Sequence, residues 1–406
     1  MKKFRVSCSQ IEGATLKIAG SKSESNRALL LQAMHSGIRL SNISDSDDSR
    51  VMQKALASAD DVIDVGHAGT AMRFLTAYFS CLPNRSVTIE GSDRMHERPI
   101  GILVDALRRL GAQIDYAGRE GYPPLVIRGS ELTGQSVNVP ANVSSQFISA
   151  LLLIVPKLKN GLKLILEGTP TSRPYIEMTL SLLRQAGMET SFDGSVVKVD
   201  GTLSPSEITI ESDWSSASYF YSIVAMSPIG TQVALSVFKE DSRQGDRALS
   251  DIYRNLGVQT NFTGDEIVLI KIGDAPSGEI FLDLSGTPDL AQTIAVTCIG
   301  LGIGCKLTGL GTLRIKETDR LQAMQTELSK FGAQVAITDD SLQLWSSSNL
   351  PKDITVSTYD DHRMALAFAT LATRVPLIIE NPEVVSKSYP AFWRDLARLG
   401  FTVTDF

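Results

Sequence analysis

The feature that most constrains the fold is a helix ending that recurs five times along this 406-residue chain. In each copy a predicted helix carries a cation in its last turn, a glycine follows, and residues of strand type come next. Glycine readily adopts the left-handed conformation that ends a helix, and a cation suits the negative end of the helix dipole. The five glycines are Gly111, Gly187, Gly257, Gly332 and Gly400. Their separations of 76, 70, 75 and 68 residues indicate a repeated supersecondary unit.

A sixth and earlier copy is expected to be incomplete. The spacing places its helix end near residue 40, whereas the equivalent helix spans Ser49 to Ala59 and leads directly into 62–66. Neither a closing glycine nor a hairpin follows that helix in the sequence. We therefore predict an α/β (α+β) fold of six βαβαββ units, with the hairpin of the first unit truncated.

Six units predict two lobes of three units each. The break is expected near residue 210, before Asp213, so the N-terminal lobe is residues 17–209. The C-terminal lobe is residues 1–16 together with 210–406. Because ligand sites favour clefts between domains and the polar motifs divide between the two halves, we expect the active site in the interlobe cleft.

The composition is that of an ordinary globular protein, with 43% hydrophobic residues and a net charge of −6. This charge argues against a nucleic-acid or membrane-surface partner. The four cysteines lack redox or metal-ligand spacing and the four histidines are scattered, so no metal site is expected. Neither a signal core nor an apolar stretch of about 18 residues is present, which predicts a cytoplasmic protein.

Residues 20–27 open an apolar helix with a glycine, several hydroxyl groups and two cations, Lys22 and Arg27. The free N–H groups and the positive dipole of such a helix start favour anions. The spacing is not that of a Walker loop, because no second glycine followed by Lys-Ser or Lys-Thr is present. A serine-rich N-cap with two solvated cations is the alternative interpretation.

A second helix start of this type contains Gly69 and Thr70, where glycine lets a ligand approach the backbone. A plain strand-to-helix turn is the alternative. Two arginines, Arg94 and Arg98, then precede a proline, and arginine offers a bidentate fork to phosphate or carboxylate. One of the two arginines is expected only to pair with Glu97.

Hydroxyl and amide groups mark two further helix starts in this half of the chain. Ser144, Ser145 and Gln146 precede one apolar run, and Ser172 and Tyr175 precede another helix. These groups suit a polyhydroxylated ligand, although they could also only cap the helices.

Charged groups dominate the helix starts in the second half. Asp289 follows a proline, and helix capping is its alternative role. Lys316 and Arg320 lie four residues apart and share a face if the helix has begun by then. Glu317 beside Lys316 is a candidate for proton transfer, since burial and neighbouring charges tune such groups. A solvated and self-paired helix face is the alternative for this cluster.

Cations recur at these starts in an otherwise acidic protein. They are Lys22, Arg27, Arg94, Lys316, Arg320, Arg363 and Lys387. Their convergence would suit a pair of small ligands that carry several negative charges.

Six motifs together resemble one known family. They are Gly20–Arg27, Ala68–Arg73, Arg94–Ile100, Ser144–Gln146, Lys316–Arg320 and Asp361–Met364. In this order they are similar to the 5-enolpyruvylshikimate-3-phosphate synthase family. The resemblance implies two lobes, each built from three units as an inside-out α/β barrel. It also implies transfer of the enolpyruvyl group of phosphoenolpyruvate to the 5-hydroxyl of shikimate 3-phosphate, by a monomer without metal or cofactor.

The resemblance also implies a role for each matching residue. Shikimate 3-phosphate would be bound by Lys22, Ser23, Arg27, Ser144, Ser145, Gln146, Ser172, Tyr175, Asp289 and Lys316. Phosphoenolpyruvate would be bound by Lys22, Gly69, Arg94, Gln146, Arg320, Arg363 and Lys387. Asp289 would accept the proton of the 5-hydroxyl. Glu317, with Lys22, would protonate the methylene carbon.

Four residues depart from the family pattern, namely Ala19, His67, Phe74 and Thr312. Two other functions remain open. The related transferase that acts on UDP-N-acetylglucosamine usually has a cysteine ahead of its Arg-Pro helix, and residues 91–99 contain none. A repeat protein that binds anions without catalysis would not need Asp289 and Glu317.

Overall fold

The computed structural model describes residues 2–140, 144–168, 173–347 and 349–406. The chain divides into two compact units, Gly20–Ile210 and the combination of Met1–Ala19 with Glu211–Phe406. We name them the N-unit and the C-unit. The boundary expected between residues 16 and 17 would fall within a strand, Thr15–Lys17, that belongs to the C-unit.

The described strands of the N-unit form three sheets. In sheet order they are β12 (Ser206–Thr209) and β3 (Ile38–Ser41); β4 (Val62–Asp64), β5 (Ser86–Glu90), β7 (Leu125–Arg128) and β6 (Gln113–Tyr116); and β8 (Ser136–Pro140), β9 (Leu162–Glu167), β11 (Val196–Asp200) and β10 (Glu189–Phe192).

The strands of the C-unit form three four-stranded sheets. In sheet order they are β2 (Thr15–Lys17), β13 (Gln232–Ser236), β15 (Glu266–Lys271) and β14 (Val258–Thr263); β16 (Glu279–Asp283), β17 (Gly304–Thr308), β19 (Leu342–Leu344) and β18 (Val335–Ile337); and β20 (Ile354–Val356), β21 (Leu377–Glu380), β1 (Lys3–Cys8) and β22 (Phe401–Asp405).

The helices alternate with these strands. Those of the N-unit are α1 (Lys22–Met34), α2 (Asp47–Ala57), α3 (Gly69–Ser80), α4 (Asp93–His96), α5 (Gly101–Arg109), α6 (Ser145–Leu153) and α7 (Arg173–Gln185). Those of the C-unit are α8 (Trp214–Ala225), α9 (Leu249–Arg254), α10 (Ala291–Leu301), α11 (Arg320–Lys330), α12 (His362–Thr370) and α13 (Phe392–Arg398). Short 3₁₀ turns include Gly245–Ala248, Pro288–Leu290 and Gly311–Ile315.

All five four-stranded sheets share one topology. Their first two strands are parallel, as in β4 and β5, and an antiparallel pair of strands is added to the second strand. Parallel neighbours require a crossover, which the intervening helix provides. In the last sheet β1 lies between β21 and β22, as β7 lies between β5 and β6, so the amino-terminal strand completes the sixth unit. The predicted βαβαββ repeat is confirmed.

The first unit is truncated, as predicted. Its sheet contains only the parallel pair β3 and β12 in the part of the chain that the structure describes, with Ile208 opposite Leu40. Helix α2 leads into β4 without an intervening hairpin.

The five predicted helix-ending glycines all have positive φ angles. The values are 107° for Gly111, 96° for Gly187, 79° for Gly257, 79° for Gly332 and 91° for Gly400. A side chain is excluded at Gly257 by contact as well, because a Cβ atom there would lie 2.0 Å from the carbonyl oxygen of Gly273. The repeat therefore rests on a backbone conformation that favours glycine.

Each unit has its own hydrophobic core, with helices inside and sheets outside. Every residue of α3 and of α12 is buried. Helices that are apolar on all sides are found inside a protein. The strands instead alternate, as in β9, where every second residue is buried against the helices. The polar motifs lie at the starts of these buried helices.

Candidate active site

The start of α1 carries two of the predicted cations. Ser21 caps the helix and accepts a hydrogen bond from the Glu24 N–H at 3.5 Å. The Nζ atom of Lys22 lies 3.3 Å from Oδ2 of Asp48, on the first turn of α2. One long ion pair therefore orients the side chain of Lys22 at the start of α1.

Arg27 is only 2% exposed, yet its hydrogen bonds go to uncharged groups. Its guanidinium donates to Oγ1 of Thr179 at 2.7 Å, to Oγ of Ser149 at 3.0 Å and to the carbonyl of Ser23 at 2.6 Å. Burial lowers the pKa of Arg27 to about 10, although Tyr175 acts in the opposite direction. The side chain is thus still charged at neutral pH, and an anionic ligand would compensate that charge.

Aromatic rings and hydroxyl groups surround this arginine. The Arg27 guanidinium lies 5.3 Å from the ring centre of Phe74 and 5.7 Å from that of Tyr175. At the start of α6, Ser144 caps the helix and accepts from the N–H of Gln146 at 3.3 Å. The structure thus brings Tyr175 to Arg27, whereas the predicted Ser172 lies outside the described residues.

Gln146 connects two helix starts. Its amide donates to Oγ1 of Thr70, on α3, at 3.2 Å. The neighbouring Ser145 is buried on α6. Amide and hydroxyl groups from α3 and α6 therefore converge beside the predicted Gly69.

The structure favours Arg98 over Arg94 as the arginine beside Gly69. A Cβ atom at Gly69 would lie 2.5 Å from Nη1 of Arg98. Arg94 instead pairs with Glu97, whose Oε2 lies 2.7 Å from its Nη1, and both side chains are exposed. The sequence contained a signal for this, because Arg94 and Glu97 have the i,i+3 spacing of a helical ion pair.

In the C-unit, Arg320 is 2% exposed and contacts three carboxylates. Its Nε lies 2.7 Å from Oδ2 of Asp361 and its Nη1 lies 2.8 Å from Oδ1 of Asp289. Its Nη2 lies 2.9 Å from Oε2 of Glu317. One guanidinium therefore joins the two carboxylates among the residues predicted to move protons.

Asp289 is surrounded by cations. Besides Arg320, the Nη2 atom of Arg363 lies 3.1 Å from its Oδ2 and the Nζ atom of Lys316 lies 3.6 Å from its Oδ1. Burial raises the pKa of Asp289, but Arg363, Lys316 and Arg320 outweigh it and hold that pKa well below its usual range. The carboxyl group is consequently ionised, as a proton acceptor must be.

Lys387 and Lys316 complete the cationic side of the cluster. The Nζ atom of Lys387 lies 3.1 Å from Oε1 of Glu317. Asp289 raises the pKa of Lys316, but burial and Arg320 outweigh it, so that pKa is lowered. Four cations and three carboxylates thus occupy one region of the C-unit.

The structure does not support two local interpretations, the helix face shared by Lys316 and Arg320 and the capping role of Asp289. Helix α11 begins at Arg320, with Asp319 as its cap, so Lys316 precedes the helix and does not share a helix face with Arg320. Asp289 lies in the 3₁₀ turn Pro288–Leu290 and its carboxylate binds arginines instead of capping α10. Both residues reach the cluster from turns.

Three residues in or beside this cluster received no role from the sequence: Asp361, Ser215 and Asp246. Asp361 caps α12 and accepts from the N–H of Arg363 at 2.8 Å. Its position directly before His362 and Arg363 was an available signal. Ser215 and Asp246 come from other segments, and nothing in their local sequence marks them.

No helix within the described ranges is long and apolar enough to cross a membrane. Among the residues that the structure describes, no group of three or more histidine, cysteine, aspartate or glutamate side chains is placed to hold a metal ion.

Comparisons with known proteins identify the family of this chain. The model of the EPSP synthase (3-phosphoshikimate 1-carboxyvinyltransferase) family matches residues 41–396. A 3-phosphoshikimate 1-carboxyvinyltransferase of Bacteroides fragilis is 47% identical over 403 residues, which cover 97% of each chain. One of Sodalis glossinidius is 39% identical over 423 residues, covering 95% of this chain and 94% of the relative.

Solved structures show the same fold at lower identity. EPSP synthase from Acinetobacter baumannii superposes with a TM-score of 0.78 at 21% identity, covering 100% of both chains. The enolpyruvyl transferase NikO from Streptomyces tendae gives a TM-score of 0.75 at 14% identity, covering 100% of this chain and 99% of the other. With the family model and the curated relatives, these matches confirm the resemblance found in the motifs: the chain belongs to the EPSP synthase family.

Proposed function

We propose that this chain transfers the enolpyruvyl (carboxyvinyl) group of phosphoenolpyruvate to the 5-hydroxyl of shikimate 3-phosphate and releases phosphate. This is a step of the shikimate pathway, which leads to chorismate and the aromatic amino acids. The observation that carries the proposal is the contact of Arg320 with both Asp289 and Glu317 in a member of this family.

Residues of the N-unit suit shikimate 3-phosphate. The buried guanidinium of Arg27 donates hydrogen bonds to neutral acceptors and has the charge of Glu24 near it. A dianionic phosphate would add a direct charged partner. Hydroxyl, amide and ammonium groups of the same unit would bind the remaining oxygens; they belong to Lys22, Ser23, Ser144, Ser145, Gln146 and Tyr175. From the C-unit, Asp289 and Lys316 would contact the same substrate. Ser172 stays a prediction from the sequence.

Cations of both units suit phosphoenolpyruvate. Arg320, Arg363 and Lys387 are largely buried and paired with carboxylates. Lys22, Gln146 and Gly69 would contribute from the N-unit. We propose Arg98 in place of Arg94 as the arginine of this set, because Arg98 lies against Gly69. Residues of both units would then bind one pair of substrates.

The electrostatics of the cluster favour a division of roles between two carboxyl groups. Asp289 would accept the proton of the 5-hydroxyl as its oxygen attacks. Glu317, together with Lys22, would deliver a proton to the methylene carbon of phosphoenolpyruvate as the 5-hydroxyl oxygen bonds to the neighbouring carbon. The same groups would then take a proton back from the resulting methyl group as the bond to phosphate breaks, which leaves the enol ether product. The proton of the 5-hydroxyl would pass from Asp289 to the released phosphate. General acids and bases typically contribute about 10²–10⁴-fold in rate each.

Ligand binding would change the strength of the base. In the described structure three cations hold the pKa of Asp289 low, which makes it a weak base. The carboxylate and phosphate of phosphoenolpyruvate would share Arg320 and Arg363, and the pKa of Asp289 would rise towards its ordinary value. Proton transfer would thus become favourable only when substrate is bound.

We also propose that the enzyme works as a monomer in the cytoplasm, without metal or cofactor, and that closure of the two units excludes water during the reaction. The family resemblance and the composition support this view. Sedimentation of the purified protein at several concentrations tests the monomer.

The test of the function is phosphate release from phosphoenolpyruvate by purified protein, with and without shikimate 3-phosphate, in the presence of a metal chelator. We expect release only when shikimate 3-phosphate is present, unaffected by the chelator. A folded protein without release would refute the proposal. UDP-N-acetylglucosamine as the alternative acceptor distinguishes the related transferase, which would release phosphate only with that acceptor.

A further inference from the structure

Asp246 is a buried carboxylate beside the cluster that the reaction described above does not use. It lies in the 3₁₀ turn Gly245–Ala248 and is 4% exposed. Its Oδ2 accepts a short hydrogen bond from the hydroxyl of Ser215, on the first turn of α8. A buried ionised group is costly unless it is hydrogen-bonded. The burial of Asp246 must therefore be compensated by its neighbours.

The hydroxyl of Ser215 connects Asp246 with Arg363. Nη2 of Arg363 donates to Oγ of Ser215 at 3.3 Å and to Oδ2 of Asp289 at 3.1 Å. Nη1 of the same guanidinium donates to the carbonyl of Asp289 at 3.2 Å. Arg363 therefore has Asp289 on one side and Ser215 on the other, and the carboxylate of Asp246 lies behind the Ser215 hydroxyl.

The direction of these hydrogen bonds is fixed by chemistry. A guanidinium only donates, so Oγ of Ser215 must accept from Arg363. The hydroxyl has one proton, and it is directed to Asp246, which accepts. Asp246 thereby fixes the orientation of the hydroxyl, and the hydroxyl presents its lone pair to Arg363.

Charged groups around Asp246 shift its pKa in both directions. Burial is the largest effect and raises the pKa of Asp246, Arg363 and the Ser215 hydroxyl lower it, and the charges of Asp289 and Asp213 raise it, so that the pKa is about 7. These groups come from three other segments: the turn before α10, the start of α8 and the start of α12. The carboxylate is thus favoured by the hydrogen bond from Ser215 and by the positive charge of Arg363 behind that hydroxyl.

We propose that Asp246 is a positioning residue for phosphoenolpyruvate, which acts through Ser215 to hold the guanidinium of Arg363. The inference rests on the proposed function, in which Arg363 binds this substrate. When Asp289 takes up a proton from the acceptor hydroxyl, Arg363 loses one anionic partner. Asp246 remains, and the guanidinium keeps its orientation through the reaction.

The test combines three variants: Asp246→Leu, Ser215→Ala and their double variant. Each single change removes the connection behind Arg363, so we expect KM for phosphoenolpyruvate to rise about tenfold, the effect of losing roughly one hydrogen bond to a charged group. kcat and KM for shikimate 3-phosphate should change less than about threefold. Both changes break the same connection, so their effects should not add. KM for phosphoenolpyruvate in the double variant should be no higher than in the single variant with the higher KM.

A conservative variant separates positioning from structure. In Asp246→Asn the amide oxygen still accepts from the Ser215 hydroxyl, so this variant should recover most of the lost affinity for phosphoenolpyruvate. Additive effects in the double variant, an unchanged KM for phosphoenolpyruvate, or a loss confined to kcat would each overturn the proposal. A cooperative unfolding transition in urea is the check that each variant is folded.

Calorimetric titration with phosphoenolpyruvate, in the presence of shikimate 3-phosphate, separates this proposal from the reaction. If the native protein binds phosphoenolpyruvate without turnover and the variants bind it about tenfold more weakly, the positioning role stands and the proposed reaction fails. If turnover occurs and the variants bind normally, only the positioning role is overturned. A native protein that neither binds nor reacts refutes both.

Discussion

Replacing Arg320 by methionine removes one buried cation from three carboxylates. The guanidinium contacts Asp361, Asp289 and Glu317 at 2.7, 2.8 and 2.9 Å. Hydrogen bonds between charged groups contribute about 1.5–3 kcal/mol each, which gives a sum of roughly 4.5–9 kcal/mol. Asp289 and Glu317 keep ion pairs with other cations in this variant, so the loss of stability should be smaller than this sum.

The remaining partners set the expected magnitude. Asp289 retains Arg363 and Lys316, and Glu317 retains Lys387. Asp361, by contrast, loses a contact between two buried side chains. Breaking a buried pair by removing one partner typically costs about 3–5 kcal/mol, and we expect Arg320→Met to lower the free energy of unfolding by that amount at neutral pH.

The loss should depend on pH. The cations around Asp289 hold its pKa below the ordinary value of about 3.9. A carboxyl group of this kind stabilises the folded state above the pKa of the unfolded chain, and its contribution is lost as the pH falls towards the folded-state pKa. The difference between native protein and Arg320→Met should therefore be full at about pH 7 and narrow below about pH 4.

Urea unfolding followed by circular dichroism at both pH values measures this difference. Arg314→Met is the matched control, because Arg314 also contacts two carboxylates, Asp319 at 2.8 Å and Asp339 at 3.4 Å, but is partly exposed. Pairs of this kind contribute about 0–1 kcal/mol. Equal losses in the two variants, or a loss of less than about 1 kcal/mol in Arg320→Met, would refute the reasoning.

Three further changes address binding and chemistry. Glu317→Gln should retain the binding of both substrates and lower kcat by about 10²–10⁴-fold in steady-state assays, because it removes the proposed acid; near-normal turnover would exclude Glu317 from the mechanism. Arg27→Ala should weaken shikimate 3-phosphate binding by about 2–5 kcal/mol in calorimetric titrations, since its charge is buried; an unchanged dissociation constant would contradict that role. Arg98→Ala should raise KM for phosphoenolpyruvate at least about tenfold, whereas Arg94→Ala, the control, should change it less than about threefold, since only Arg98 lies against Gly69; the reverse order would return the role to Arg94.

Local rules explain what the sequence could predict about the fold. Glycine at a helix end is a requirement of backbone conformation, so Gly111, Gly187 and their three equivalents marked the repeat directly. The absence of such a glycine after α2 likewise marked the truncated unit. Both signals act over a few residues and need no knowledge of tertiary contacts.

Contacts between distant segments explain what the sequence could not predict. Asp246 and Arg363 are separated by more than a hundred residues and meet only through the hydroxyl of Ser215. The choice between Arg94 and Arg98 likewise depends on which of them reaches Gly69 across the unit. The pairings within the cluster were equally hidden, because Lys316 and Asp289 reach it from turns instead of helix faces.

The pairing of β1 has a consequence for the order in which the chain folds during synthesis. The N-unit is one continuous segment, so it can fold once Ile210 has left the ribosome. The C-unit cannot, because Lys3 pairs with Glu380 and Cys8 with Phe401, at the far end of the chain. Strand β1 therefore lacks its partners until β21 and β22 have been translated, and this long-range closure is the slow step expected of non-local contacts.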